Sequence, residues 1–207
     1  RSTALPARMG RTQGAAGVTI MVKNTYIDFG LVQEIHMPDH TKGYMRVIQL
    51  RMPCSVPLEI IGVYMPSGQP GSKFVRAELY QTIKHRLTLA SQAGEAYHVL
   101  VVGDFNAALK PGDRTTGKTT AIDAHHTSQI SGMQLHTLAE KTMPEGRRLK
   151  TYRSSGGAGP AISRIDDILS NDAGVALKCA VELLDTTGWN TDHHGLTATC
   201  PFDALHM

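Results

Sequence analysis

The run His98-Val99-Leu100-Val101-Val102 ends in Gly103-Asp104-Phe105-Asn106, and that junction constrains the chain more than any other. A short β-branched apolar run closed by turn formers reads as a buried strand. Its tip therefore presents a carboxylate and an amide. Ser163-Arg164-Ile165-Asp166-Asp167-Ile168-Leu169 repeats the arrangement, and Thr191-Asp192-His193-His194-Gly195-Leu196 sets an Asp-His pair just ahead of a short apolar stretch. Oxygen ligands converging from separate strand tips suit Mg²⁺, which takes one or two carboxylates, keeps several waters and is completed by substrate phosphate. Three acidic tips point to a metal-dependent phosphodiesterase.

The rest of the chain reads mainly as strands. Residues 1–16 are polar, Gly-rich and aperiodic, a loop or a cut end. Gly17 to Val22, Arg46 to Arg51 and Leu58 to Tyr64 have strand composition, and the last two read as antiparallel neighbours across the Pro53 to Pro57 turn. Ser72 is expected to cap a long helix with Val75, Leu79, Ile83, Leu87 and Ala90 on one face. Ala107 to Ser128 reads as one long loop, Met133 to Ala139 as a short helix, and Thr151 to Arg153 as a short strand. Ser154 to Pro160 reads as a flexible connection, and Val175 to Leu184 and Gly195 to Cys200 as two more strands. Helices spaced between groups of strands favour a layered sheet-on-sheet core over a doubly wound parallel sheet.

Length and composition narrow the class. At 207 residues the chain fits one domain, with 41% hydrophobic and 19% charged residues excluding the disordered and membrane classes. A net charge of +3 is too small for whole-molecule attraction to a polyanion, so nucleic-acid affinity must come from local clustering. The three cysteines, Cys54, Cys179 and Cys200, are widely spaced and odd in number, which argues against a disulfide framework or a zinc site. With no bilayer-length apolar run and no signal-peptide core, the expected setting is intracellular, nuclear or cytoplasmic, with no membrane partner.

Taken in order, Gly62-Val63-Tyr64-Met65-Pro66, Gly103-Asp104-Phe105-Asn106, Thr151-Tyr152-Arg153, Arg164-Ile165-Asp166 and Asp192-His193 resemble the endonuclease/exonuclease/phosphatase superfamily. Within it they are most similar to the abasic-site-like endonuclease domains of non-LTR retrotransposons. The resemblance runs from about Gly17 to the C-terminus. It implies an α/β (α+β) fold, a four-layered sandwich of two mostly antiparallel sheets flanked by helices. It also implies a Mg²⁺ or Mn²⁺ ion and hydrolysis of a phosphodiester in DNA, leaving a 3′-hydroxyl for an associated reverse transcriptase. Asp104 matches the group that orients or deprotonates the attacking water, and Asn106 a donor to the scissile phosphate. Tyr64 matches a tyrosine that hydrogen-bonds the phosphate, Asp192 the acid beside the metal, and His193 the imidazole that stabilises charge on the phosphate. Asp166 matches the carboxylate that holds this imidazole, with Asp167 on the opposite strand face.

One departure stands at the beginning. Family members carry an Asn-containing strand and a Gln-Glu motif, whose glutamate binds the metal, upstream of the strand that matches Gly17 to Val22. Only sixteen residues precede that strand here and none is acidic, so residues 1–207 read as an N-terminally incomplete domain lacking the first strand-helix unit. Gln33-Glu34-Ile35-His36 imitates the motif in the wrong order.

Other readings compete. Lys110, Arg114, Lys118 and Arg153 are candidate contacts to a nucleic-acid backbone, as is the turn Arg147-Arg148-Leu149-Lys150, though a charge run of this kind is commonly a wet turn. Gly112 to Thr119 satisfies the phosphate-binding pattern G-x-x-x-x-G-K-T, which makes a P-loop nucleotide-binding module a remote alternative. Asp123, His125 and His126 lack a further paired ligand spacing and read as a solvated loop, and Trp189 suits a core as well as a substrate groove. A phosphatase or phospholipase of the same superfamily, or a catalytically silent binding module, also fits, and for Asp104 and Asn106 the plain reading is a turn after a strand.

Overall fold

The structure is a computed structural model that describes residues 17–53, 55–68, 70–93, 97–138, 150–154, 162–184 and 191–200. It is a mixed α/β protein with two compact units, one running to Gly103 and the other beginning at Asp104.

The first unit contains α1 (Asn24–Asp28), β1 (Val32–Ile35), β2 (Met45–Leu50), β3 (Leu58–Tyr64), α2 (Ser72–Gln92) and β4 (His98–Asp104). Its strands lie in the order β1-β2-β3-β4. The first three are antiparallel, with Ile48 facing Glu34 on one side and Ile60 on the other. Val47, Ile61, Val63, Val99 and Val101 are buried along these strands, as are Leu79, Ile83 and Ala90 along α2. Each fully buried aliphatic side chain contributes about 1.5–3 kcal/mol relative to an exposed one. On α2, Val75 and Leu87 are only half-buried. Buried Arg76 and Tyr80 complete the inner face instead, the guanidinium 3.2 Å from the phenol oxygen.

Gly103 is required where it stands. Its φ is +147°, and a Cβ there would lie 1.8 Å from the Val63 carbonyl oxygen, so only glycine lets β4 pass this close to the end of β3.

Two expectations for this unit are corrected. Residues 17–23 form no regular element, with Val18, Ile20 and Val22 half-buried and Thr19, Met21 and Lys23 exposed, and the segment enters no ladder among the described residues. Alternation gives it a face, which Val18 and Ile20 lay over Gly62, whereas a strand also needs a hydrogen-bonded edge. The N-cap of α2 is Gly71 (φ +86°), and Ser72 is the first helical residue with no side-chain cap.

The second unit contains α3 (Ala121–Gly132), β5 (His136–Thr137), β6 (Tyr152–Arg153), β7 (Ile162–Ser163), β8 (Asp166–Ser170), α4 (Ala173–Lys178), β9 (Ala180–Leu184) and β10 (Gly195–Thr199). Strands pair antiparallel as β5 with β8, β6 with β7 and β9 with β10. The expected loop of residues 107–128 ends early, because Thr120 and Asp123 form a reciprocal cap that starts α3. Residues 133–137, the first part of the expected helix, do not form one. Gln134 adopts a left-handed conformation (φ +55°) and turns the chain into β5. The expected strand from Val175 splits into α4 and β9, since the Asp172 carboxylate accepts the Val175 N–H at 3.0 Å and caps a helical turn that begins at Ala173.

The cysteines are also corrected. Cys179 and Cys200 form a disulfide with a Cα–Cα distance of 4.3 Å. Ala180 faces Thr199 in the β9–β10 register, which makes these cysteines the next facing pair. Their 21-residue separation conceals this from spacing rules. Cys54 lies outside the described residues, as do Arg147, Arg148 and Trp189. No helix among the described residues is long and apolar enough to cross a membrane.

Candidate active site

Asp104 ends β4, and the chain turns immediately after it. Phe105 is fully buried, donates its N–H to the Ile165 carbonyl at 2.8 Å and packs its ring against His126, with centroids 4.9 Å apart. Asn106 then takes a left-handed conformation (φ +48°), which asparagine tolerates better than most residues. Its backbone N–H donates to Asp104 Oδ1 at 2.7 Å and its side-chain Nδ2 to Oδ2 at 3.1 Å. Strand alternation, which puts residues two apart on one side, places the pair together in the sequence reading. A turn that folds the amide back onto the carboxylate does so in the structure.

Asp166 opens β8, next to the site of the Phe105 bond. Its two oxygens lie 3.0 and 3.2 Å from His193 Nδ1. With Nδ1 assigned as the donor to Asp166, Nε2 is directed elsewhere, 3.9 Å from Asp192 Oδ1. The hydrogen bond to Asp166 raises the His193 pKa above its ordinary value; burial opposes the rise, and the charges of Asp166, Asp104 and Asp192 add to it. Tyr152 completes the setting with its ring 4.9 Å from the imidazole, centroid to centroid.

The neighbouring Asp167 points into the core. It accepts from the Thr137 hydroxyl at 2.8 Å, from Arg164 Nη2 at 2.7 Å and from the Ile168 N–H at 2.8 Å. Burial pushes its carboxyl above the usual carboxylate range, against the pull of Arg164 and these donors. The two adjacent aspartates thus divide roles by strand face: Asp167 anchors β8 and Asp166 faces the imidazole.

One ligand atom from each of Asp104, Asp166 and His193 lies within 4.8 Å of the others. Two carboxylates with an imidazole can hold a divalent ion, and Asp192, whose side chain is 61% exposed, stands beside them with free access to solvent. A hard cation held by this group would complete its shell with waters and phosphate.

The remaining sequence candidates fall as follows. Tyr64 ends β3 in the first unit, its ring stacked 6.4 Å from Tyr44. Glu34 sits on β1 with its carboxylate paired to Arg46. Lys110 and Lys118 are exposed, as is Arg153, whose N–H donates to the Asp192 carbonyl at 2.9 Å. Arg114 is engaged internally, its Nε and Nη2 donating to Asp123 at 2.8 and 2.7 Å. Asp123 also accepts the N–H groups of Ala108 at 2.8 Å and Thr120 at 2.8 Å, making it the anchor of the loop behind Asp104. That loop has no P-loop geometry. Pro111–Asp113 forms a 3₁₀ turn, Arg114 bridges Ser163, and α3 starts at Ala121, beyond Lys118 and Thr119. Sequence reasoning named Thr151-Tyr152-Arg153 only as a motif and short strand and Asp123 only as a loop residue, with no part in this framework; the Thr-x-x-Asp spacing of residues 120–123 was the available signal for Asp123.

No protein-family model matches the sequence, and no curated protein matches it. Solved structures do. The fold is similar to the endonuclease domain of TRAS1, a telomere-specific non-LTR retrotransposon, with a TM-score of 0.60 and 14% identity over 89% of this chain and 72% of that one. It is similar to an AP endonuclease from Archaeoglobus fulgidus, with a TM-score of 0.58 and 17% identity over 82% of this chain and 70% of that one. It is similar also to the AP endonuclease LMAP from Leishmania major, with a TM-score of 0.66 and 14% identity over 86% of this chain and 63% of that one. Five short motifs and these structural likenesses agree: the chain has the fold of the endonuclease/exonuclease/phosphatase superfamily.

Proposed function

We propose that this chain is a divalent-metal-dependent phosphodiesterase that nicks DNA, the endonuclease of a retrotransposon whose reverse transcriptase extends the 3′-hydroxyl produced. The observation that carries the reading is the meeting of Asp104, Asp166 and His193, from three separated stretches of sequence, within one 4.8 Å cluster. The likeness of the fold to three endonucleases supports it at the level of reaction class.

In this reading Asp104 accepts the proton of the attacking water, and Asn106 fixes the carboxylate's orientation through its two donors. A positioned general base contributes about 10²–10⁴-fold. His193, held by Asp166 and with its pKa raised by that bond, would donate from Nε2 in its protonated form to a phosphate oxygen as negative charge develops there. Asp192 would hold Mg²⁺ or Mn²⁺, whose contribution when bound is to neutralise the phosphate's charge. Lys110, Lys118 and Arg153 contact the DNA backbone, with Arg114 acting through the loop it braces.

Incubating supercoiled plasmid with the chain and Mg²⁺ or Mn²⁺, beside Asp104→Ala, tests the proposal. Nicking that falls at least about 10²-fold in the variant supports it. Hydrolysis of a phosphomonoester without nicking assigns the site to phosphatase chemistry. Equal background in both proteins leaves a binding module.

A further inference from the structure

Thr151, just ahead of β6, is fully buried and sits between the two segments that supply Asp166 and His193. Its hydroxyl oxygen accepts two consecutive backbone donors, the N–H groups of Ile165 and Asp166, at 3.1 Å each. Its own N–H donates to the Ser163 carbonyl at 3.0 Å, and its carbonyl accepts the His194 N–H at 2.7 Å. The next residue continues the connection, since Tyr152 bridges to His193 in the backbone and lays its ring against the imidazole. Asp166 and His193 are 27 residues apart in sequence, so their contact depends on whatever fixes the two backbones relative to each other.

We infer that Thr151 is a positioning residue, whose hydroxyl fixes the tip of β8 while its carbonyl fixes the turn after His193, so that Asp166 meets the imidazole. A hydroxyl oxygen has two acceptor lone pairs, and the two N–H groups use both. Valine has nearly the same shape and no acceptor. Serine keeps the acceptor and loses only a methyl. The kinetic consequence rests on the phosphodiesterase reading above; the structural one does not.

The test compares Thr151→Val and Thr151→Ser with the unaltered chain in two readouts. The first is the ¹⁵N shift of His193 Nδ1 at fixed pH in protein labelled at histidine, assigned with His193→Gln. The shift should stay in place in T151S and move towards that of a solvent-exposed imidazole in T151V. The second is plasmid nicking, where T151V should lower kcat about 10–100-fold, the range usual for residues that orient catalytic groups, with KM within about twofold and T151S near the unaltered value. An unmoved Nδ1 shift in T151V, or equal impairment by Ser and Val, overturns the inference. Should T151V not fold, amide exchange in the unaltered chain decides: the Ile165, Asp166 and His194 amides should be protected together, and fast exchange of any one overturns it. If the unaltered chain and D104A are equally inactive, the phosphodiesterase reading fails and the Nδ1 shift alone decides the role of Thr151.

Discussion

His193 Nδ1 lies 3.0 Å from an Asp166 oxygen, and this bond is the largest cause of the raised His193 pKa. The imidazolium therefore persists above the unperturbed value of about 6.5. Activity that needs this charged form is full below the raised pKa and declines as pH rises through it. Asp166→Asn removes the acceptor charge, so the alkaline limb of the kcat profile should move to lower pH and kcat at neutral pH should fall by at least about tenfold. The stability linked to this proton has the same sign: present below about 6.5 and lost as pH rises through the folded value. An unchanged pH profile in D166N would contradict the assignment.

Asp123 behaves oppositely. Burial alone would raise its pKa, but the Arg114 guanidinium, the N–H groups of Ala108 and Thr120 and the Thr120 hydroxyl outweigh burial and hold the carboxyl well below its usual range. Its contribution to stability is present above the unfolded pKa of about 3.9 and is lost as pH falls through the folded value. Asp123→Ala strands the Arg114 charge and should cost about 3 kcal/mol at neutral pH. Denaturant unfolding at pH 7 measures the cost, and the difference between the two proteins should shrink in strong acid.

Gly103→Ala forces a Cβ to within 1.8 Å of the Val63 carbonyl oxygen at a φ of +147°. Backbone must move, and the variant should lose more than about 1 kcal/mol, seen as a Tm at least about 2–4 °C lower. A Tm equal to that of the parent would show that β4 does not approach β3 so closely.

The Cys179–Cys200 disulfide closes the segment that includes Asp192 and His193. Two-stranded sheets are marginal by themselves, and β9 and β10 form one, with only Val181 of the two fully buried. Replacing both cysteines with serine should cost about 2–4 kcal/mol. Calorimetry with and without a dithiol reductant checks this, and a reductant-insensitive Tm would speak against the bridge.

Some of this was readable from residue order alone. β3 and β4 announce themselves because strands with much of both faces buried are nearly continuous apolar runs, and Asp104, Asp166 and His193 are conspicuous because acidic residues and a histidine recur at three separate strand tips of one chain. Asn106 meets Asp104 by a route other than strand alternation, since a left-handed turn provides the contact. What stayed hidden depends on partners distant in sequence. The Thr151 hydroxyl gains its meaning from donors 14 and 15 residues away, and Cys179 meets Cys200 only through the β9–β10 register. β5 is two residues long, too short for any period to show.

The most direct test of the central claim, that one pocket around Asp104 and His193 performs the chemistry, is the single-turnover cleavage rate of a duplex oligonucleotide in Mg²⁺. Asp104→Ala, His193→Ala and the double variant should each be slower by at least about 10²-fold, with the double variant close to the worse single one, as groups acting on one transition state are not additive. Cleavage by D104A or H193A at the parent's rate would contradict it.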